Sequence, residues 1–460
     1  MLSTALVAID GTIIATAVPT VVHDIGGASA FPWLFSVYVL VQAVTVPVYS
    51  KLADTFGRKP MMIIGIGLFL LGSVLCGAAW SMPSLIAFRV VQGLGAGAVL
   101  PMSITIAGDI YTVHERAKAQ GYLASVWGIA SVVGPTLGGI FSQFVSWRWI
   151  FYVNVPICIL AAFMIIRALR ETIEPKRHRV DFLGAALITA GMSLLILAVL
   201  EGGVAWAWDA PISIIAFVAG GLLLLAFLFV ETRAAEPILP LWVFSRRLLS
   251  STSLVGLGVG AVTIGLSAYV PTYLEGSLGS PPIVAGLALA ALTLGWPLSA
   301  SQAGRLYLRI GFRNTALIGL AFAIIGSLSL AFFAHAPSIA TVAISCFVIG
   351  LGMGLVAVPT LIAAQSSVGW EQRGVVTGAN LFSRSIGSAV GVAIFGAIAN
   401  ALIVSSGESP STASVVVSSS TAVFVAVAVV VLATVIAALA MPRSRVEAAI
   451  PRTVAEPIAE

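Results

Sequence analysis

Three charged residues lie inside long apolar runs, and their types define what chemistry the chain can do. Asp10 falls in AIDGTIIATAVP (Ala8–Pro19), Arg89 in RVVQGLGAG (Arg89–Gly97), and Arg384 in a third such run. At bilayer depth an ionised side chain is unfavourable by at least ~2.5 kcal/mol, so such a group faces a wet cavity, finds a partner or, if an acid, takes up a proton. Reversible protonation of a shielded carboxylate is chemistry that a transporter uses. Burial disfavours the charged form of an acid and a neighbouring cation favours it. Asp10 is therefore assigned to proton coupling, with Arg89 holding and tuning it. The competing reading has Asp10 hydrated near a helix end, or capping it.

The elements that must position these residues follow from composition. The 460 residues are 59% hydrophobic and 9% charged, with a mean hydropathy of +1.08. A soluble chain needs far more charge to cover its surface. Nearly all of the chain is expected in the lipid bilayer, and helix is the state that satisfies its backbone there. About 20 apolar residues cross the hydrocarbon core. On that measure the sequence predicts fourteen spans, near 1–22, 32–52, 61–80, 84–107, 119–143, 149–170, 182–200, 212–231, 249–273, 282–303, 315–334, 339–362, 375–400 and 420–441. Residues 1–22 lack the basic start of a signal peptide. The first span begins at Met1 with no tail before it, so a few residues are expected upstream.

Cys76, Cys158 and Cys346 are scattered through apolar runs, and His23, His114, His178 and His335 show no metal-ligand spacing. No disulfide, metal or cofactor is expected, and a membrane enzyme, which needs clustered His, Asp or Cys, is disfavoured. Alternate loops hold 20 of the 23 basic residues, from Lys51, Arg58 and Lys59 through Arg116 and Lys118 to Arg443. The positive-inside rule makes that face cytoplasmic, with both termini inside, in the cell inner (plasma) membrane. The basic charge thus sets topology, and no nucleic acid partner is implied. Trp33, Trp80, Trp147, Trp149, Trp206 and Trp208 mark the outer ends. The exceptions to the charge rule are Arg89, Arg148 and Arg384.

The two halves echo each other. QGLGAG (Gln92–Gly97) returns as IGLGMG (Ile349–Gly354), and ERAKAQG (Glu115–Gly121) returns as QRGVVTG (Gln372–Gly378), both offset by 257. SKLADTFGRK (Ser50–Lys59) returns weakly as GRLYLRIGFR (Gly304–Arg313), offset by 254. That offset exceeds what six spans need, so two spans are inserted between the repeats. The expected domains are an N-terminal six-helix bundle (1–170), an inserted pair (171–248), a C-terminal six-helix bundle (249–441) and a cytoplasmic tail (442–460). Parallel six-span repeats are a transporter design, with substrate bound between halves near the midplane. Symmetry breaks at the charges: Arg89 is matched by Cys346, Asp54 by Leu308, and Trp127 by Arg384.

These residues resemble the major facilitator superfamily, specifically its fourteen-span drug:proton antiporter branch. Ile9–Pro19 is similar to the first-span motif LDxTIVNVALP. Ser50–Lys59 resembles the cytoplasmic GxLaDrxGrk loop, with Ser50 where glycine is usual. RVVQGLGAG matches RxxQGxgaG, GIASVVGPTLGG (Gly128–Gly139) matches gxxxGPxxGG, and WRWIFYVNVP (Trp147–Pro156) resembles a sixth-span signature. The resemblance implies an all-α membrane protein of the major facilitator fold: two six-helix bundles plus two additional transmembrane helices. It implies a monomer that exports amphipathic, often cationic, small molecules in exchange for protons by alternating access, the alternative being a dedicated exporter of one metabolite, antibiotic or lipid. A channel or scaffold would not need the repeat, Asp10 and the loop motif together.

The resemblance also distributes roles. Asp54, Gly57, Arg58 and Asp109 form a gate, with Asp54 near the N-terminus of a second-half helix and Arg58 near Asp109. Gly128, Gly134, Pro135, Gly138 and Gly139 let helices approach and bend. Asn154 bonds between helices, a structural role. Gln42, Trp127, Trp296, Asn380, Phe382 and Arg384 are candidate substrate contacts, each with a packing alternative. Glu275, near the outer end of the ninth span, either attracts a departing cation or is simply hydrated.

Overall fold

The computed structural model describes residues 1–14, 17–26, 33–169, 171, 181–202, 206–207, 209–234, 237–406 and 412–443. Parts of the linker after residue 169 and the tail from 444 lie outside the described residues. The described chain is helical, with one isolated bridge pair between Gly202 and Trp206. In order the helices are α1 (Leu2–Ile13), α2 (Val18–Ile25), α3 (Trp33–Phe56), α4 (Arg58–Gly77), α5 (Met82–Ile110), α6 (Val113–Phe144), α7 (Trp149–Tyr152) and α8 (Asn154–Ala168). The series continues with α9 (Phe182–Glu201), α10 (Pro211–Glu231), α11 (Trp242–Ser245), α12 (Arg247–Leu278), α13 (Pro282–Ile310), α14 (Phe312–Phe333), α15 (Ile339–Ser366), α16 (Arg373–Ser406) and α17 (Ala413–Ala440). Among the described residues 11 helices are long and apolar enough to cross a membrane, and Leu2–Ile13 and Phe182–Ala198 are shorter apolar helices.

The chain divides into two compact units, one of Met1–Ile106 with Leu123–Leu241, the other of Ala107–Tyr122 with Trp242–Glu460. The inserted α9 and α10 belong to the first. They pack on each other where Gly191 and Gly220 meet, and α9 also packs on α3. Within the first unit, two apolar clusters are stacked along the helices. One contains Leu6, Tyr38, Ile66, Phe69, Val99 and Cys158; the other contains Ile13, Leu34, Cys76, Leu85, Trp147 and Phe151. In the second unit a continuous core runs through α12–α17 and includes Val255, Leu266, Phe395, Phe424 and Val427.

The sequence repeat is also a repeat of packing. Gly57 caps the start of α4 with φ 100°, ψ 155°, and Gly311 caps the start of α14 with φ 84°, ψ 163°. These positions are 254 apart in sequence. The turn requires a left-handed φ, which glycine adopts without steric penalty. Deeper in the membrane, a Cβ on Gly95 would stand 2.7 Å from the Gly65 carbonyl oxygen, and one on Gly352 would stand 2.5 Å from that of Gly319. The backbones of α4 and α5, and of α14 and α15, therefore touch at matched points. Small residues let membrane helices approach this closely.

Gly95→Ala and Gly352→Ala are each expected to lower thermal stability in detergent by an overpacking penalty of about 1–3 kcal/mol or more. Gly67→Ala, where a Cβ meets nothing within 4 Å, serves as the control. Equal melting temperatures for the three variants would show that the contacts are slack.

Candidate functional site

The two apolar clusters of the first unit are separated by one polar layer. On α1 the order is Leu6, Asp10, Ile13; on α4 it is Phe69, Ser73, Cys76; on α5, Leu85, Arg89, Gln92, Ala96; around α8, Phe151, Asn154, Cys158. Helical spacing dictates this arrangement, because residues three and four apart stack on one face. The layer lies ~6–11 Å along the helices from the α4 and α5 ends opposite the basic loops, at 1.5 Å per residue.

Asp10 and Arg89 are each 1% exposed, and Arg89 Nη1 donates to Asp10 Oδ2 at 2.6 Å. Asp10 Oδ1 accepts from Gln92 Nε2 at 2.7 Å and from Asn154 Nδ2 at 3.2 Å. Arg89 also donates to Gln92 Oε1 at 2.7 Å and to the Leu34 carbonyl at 3.1 Å, and its guanidinium lies 4.0 Å from the Tyr38 ring centroid. Ser73 Oγ accepts from Gln92 at 2.9 Å. Asp10 thus accepts from two amides on one carboxyl oxygen and from Arg89 on the other, enclosed by protein.

The helix carrying Asp10 is held from a second side. Thr12 Oγ1 donates to the Ala130 carbonyl on α6 at 2.9 Å, and a Cβ on Gly134 would stand 2.9 Å from Thr12 Cβ. Gly128 and Gly138 are buried, whereas a Cβ on Gly139 would meet nothing within 4 Å. The side chain of Pro135 lies outside the described residues.

At the basic end of the same unit, Arg58 Nη2 donates to Asp54 Oδ1 at 2.6 Å, one helical turn apart across the Gly57 cap. The backbone N–H groups of Arg58 and Lys59, unpaired at the start of α4, each donate to the Glu171 carboxylate at 2.9 Å. An acid at a helix N-terminus is favoured by the exposed N–H groups and by the helix dipole. Lys59 Nζ reaches the carbonyls of Ile166 and Leu169, at 2.7 and 2.8 Å, at the end of α8. In the second unit Asp109 pairs with Arg373 at 3.0 Å, and Arg116 donates to Ser366 at 3.1 Å.

The sequence-proposed substrate contacts separate by environment. Gln42 is half-buried on α3, and Trp127 on α6 is 38% exposed. Glu275 is exposed near the end of α12. Phe382 is buried, and buried Asn380 spends its amide on the Thr252 carbonyl at 3.2 Å. Trp296 and Arg384 come together, the guanidinium 5.4 Å from the ring centroid. Arg148, the third exception to the charge rule, pairs with Asp24 at 2.8 Å and lies over Trp147. The Trp147 indole N–H and the Arg148 guanidinium hold the Asp24 carboxyl below the usual carboxylate range.

Sequence reasoning did not assign Gln92, Ser73, Tyr38 or Glu171 to a site. Gln92 carried a signal, since it stands three residues after Arg89 and so shares its helix face. Ser73, Tyr38 and Glu171 carried none, because their partners are distant in sequence.

A family model described as Major Facilitator Superfamily matches residues 1–181 and 168–392. The chain is 34% identical over 394 residues to "Multidrug transporter protein MdtP" of Bacillus subtilis (strain 168), covering 86% of this chain and 73% of that protein. It is also 34% identical over 400 residues to "Multidrug resistance protein 3" of the same organism, covering 86% and 78%. In fold it is similar to the crystal structure of the human organic anion transporter MFSD10 (TETRAN), with a TM-score of 0.68, 15% identity, and coverage of 95% of this chain and 97% of that one.

Removing one partner of a buried ion pair is destabilising by about 3–5 kcal/mol, because the other charge is stranded. Arg89→Ala is therefore expected to lower stability more than Arg89→Ala combined with Asp10→Asn. A double-mutant cycle on thermal unfolding measures this, and additive effects would mean that the two groups do not depend on each other.

Proposed function

The chain belongs to the major facilitator superfamily and is a membrane transporter rather than an enzyme, and from that premise we propose that it is a proton-coupled efflux antiporter for amphipathic small molecules. The observation that carries the reading is Asp10. It is a buried acid that accepts hydrogen bonds from Arg89, Gln92 and Asn154, inside a protein whose relatives carry multidrug transporter names. A proton arriving at Asp10 converts an acceptor into a donor on one oxygen. The O–H gained there needs an acceptor of its own and weakens the attraction that holds Arg89. Loss of the Arg89 pair would strand a cation, so protonation and a rearrangement around Arg89 are linked. Exposing Asp10 alternately to the two sides of the membrane carries one proton inward per cycle. The membrane potential adds ~2.3 kcal/mol per charge per 100 mV.

In this reading Asp54, Gly57, Arg58 and Asp109 form the cytoplasmic gate, and Gly128, Gly134, Pro135, Gly138 and Gly139 shape closure on the outer side. The short-range Asp54–Arg58 pair and the helix-end contacts are of a size that biases an open–closed equilibrium without locking it, ~0.3–1 kcal/mol each at a helix terminus. Fourteen spans are supported by the 11 long apolar helices, by the two shorter apolar helices at Leu2–Ile13 and Phe182–Ala198, and by the length of α6. The domain boundaries, a monomeric state, the inner membrane and cytoplasmic termini belong to the same reading. They rest on the repeat and on the distribution of Lys and Arg. The dedicated-exporter alternative shares every one of these features and differs only in the breadth of compounds carried.

Dye efflux from proteoliposomes under an imposed proton gradient tests the proposal. Wild type is expected to show saturable efflux that depends on the gradient. Asp10→Asn is expected to lose the gradient-driven component while remaining in the membrane; full efflux by that variant would overturn the coupling role. Asp54→Asn is expected to slow turnover with little loss of equilibrium substrate binding. Unchanged turnover would remove the gate.

A further inference from the structure

Among the described residues Arg384 is a cation without a counter-charge. It lies in α16, 11 residues from Arg373, which is ~17 Å along the helix and near the middle of a ~30 Å hydrocarbon core. Trp296 is equally central in α13, 14 residues from either end. Among the described residues the Arg384 guanidinium has its contact with the Trp296 ring, and no carboxylate or hydrogen-bond acceptor pairs with it. The contrast with Arg89 is direct, since Arg89 has an acid, an amide oxygen and a carbonyl. Among the described residues, the acids from α12 to α17 are Glu371, which precedes α16, and Glu275, exposed and near the far end of α12. It stands ~25 Å along that helix from Gly256 and Gly260, at 1.5 Å per residue, where α12 meets α16 around Arg384.

The backbone at this point is fixed. A Cβ on Gly387 would stand 2.7 Å from Leu257 Cα, and one on Gly256 would stand 3.4 Å from Arg384 Cγ. Ser388 Oγ also donates to the Gly260 carbonyl at 3.1 Å. The side chain is half-buried, so its protein neighbours leave part of it accessible. An unpaired arginine at this depth against lipid is unfavourable by several kcal/mol, so that accessible part requires water or an anion. A guanidinium presents a planar fork of donors that matches a carboxylate or sulfonate, and an indole face beside it stacks on a flat apolar body.

Building on the export reading, we propose that Arg384 and Trp296 form a recognition site for aromatic amphipathic compounds that carry a carboxylate or sulfonate. The substrate range then includes anionic and zwitterionic molecules, and is not centred on cations. Arg384 binds the acidic group, and Trp296 carries the ring.

Equilibrium binding to the purified full chain, without any proton gradient, tests this independently of coupling. The probes are radiolabelled 1-naphthoate and 1-naphthamide, which share a ring system and differ in charge. Wild type is expected to favour the carboxylate by about tenfold or more, as a charge-assisted hydrogen bond provides. In Arg384→Gln the ratio of the two affinities is expected to fall to about one, and in Arg384→Lys to an intermediate value. Absence of a preference in wild type overturns the proposal, as does a preference that survives in both variants. If Arg384→Gln does not fold, the Lys variant and the wild-type ratio still decide. A clear carboxylate preference combined with no gradient-driven efflux would leave the recognition site standing and remove the antiport reading instead.

Discussion

The structure of the first unit depends on one buried ion pair. Asp10 and Arg89 meet at 2.6 Å between two apolar clusters, Gln92 and Asn154 of that layer bond to the pair, and Ser73 accepts from both amides. A buried ion pair is seldom a gain over well-packed hydrophobes, because desolvation offsets its attraction. It persists where its parts are satisfied, and here Gln92, Asn154 and the Leu34 carbonyl fill the sites that the pair leaves open. The layer thus places a charged pair where apolar packing would serve stability at least as well.

Much of this was legible in the sequence, for identifiable reasons. Asp10 and Arg89 stood out because charge inside an apolar run has few physical solutions. The Gly57 turn and its mate at Gly311 were readable as an echo in sequence because glycine is needed where φ is positive. Other features were not legible. Glu171 follows the sixth span in what reads as a basic linker, and nothing local reveals that its carboxylate binds the N–H groups at the start of α4. Asn154 was read as a bond between helices, and the structure shows that its partner is the central acid itself. Asn380 looked like a polar group for substrate and is buried against a backbone carbonyl. A residue with a distant partner is readable when, like Asp10 or Arg89, its charge stands inside an apolar run, and polar residues such as Ser73 and Glu171 carry no such mark.

The repeat separates packing from chemistry. Gly95 and Gly352 make the same close approach in the two units, to Gly65 and to Gly319. Shape was therefore retained after duplication. Charge was not, since Cys346 stands where Arg89 would be and is simply buried in the core. Ser327, at the position equivalent to Ser73, donates only to its own helix backbone. In the membrane the first unit buries Asp10 with Arg89, and among the described residues Arg384 of the second has no acid paired to it. The two scaffolds are alike and their buried charges are not.

The two ends of the first unit are mechanically linked through one pair of helices. α4 carries Ser73 in the polar layer, and α8 carries Asn154 there. At their opposite ends the same two helices are tied by Glu171 on the α4 N–H groups and by Lys59 on the last carbonyls of α8. The span from Ser73 to Arg58 is ~22 Å at 1.5 Å per residue. The two helices are thus fastened to each other near both ends. The Asn154–Asp10 bond sits at one end of that pair. The Asp54–Arg58 pair sits at the other, which puts the loop motif within mechanical reach of the acid without any direct contact between them.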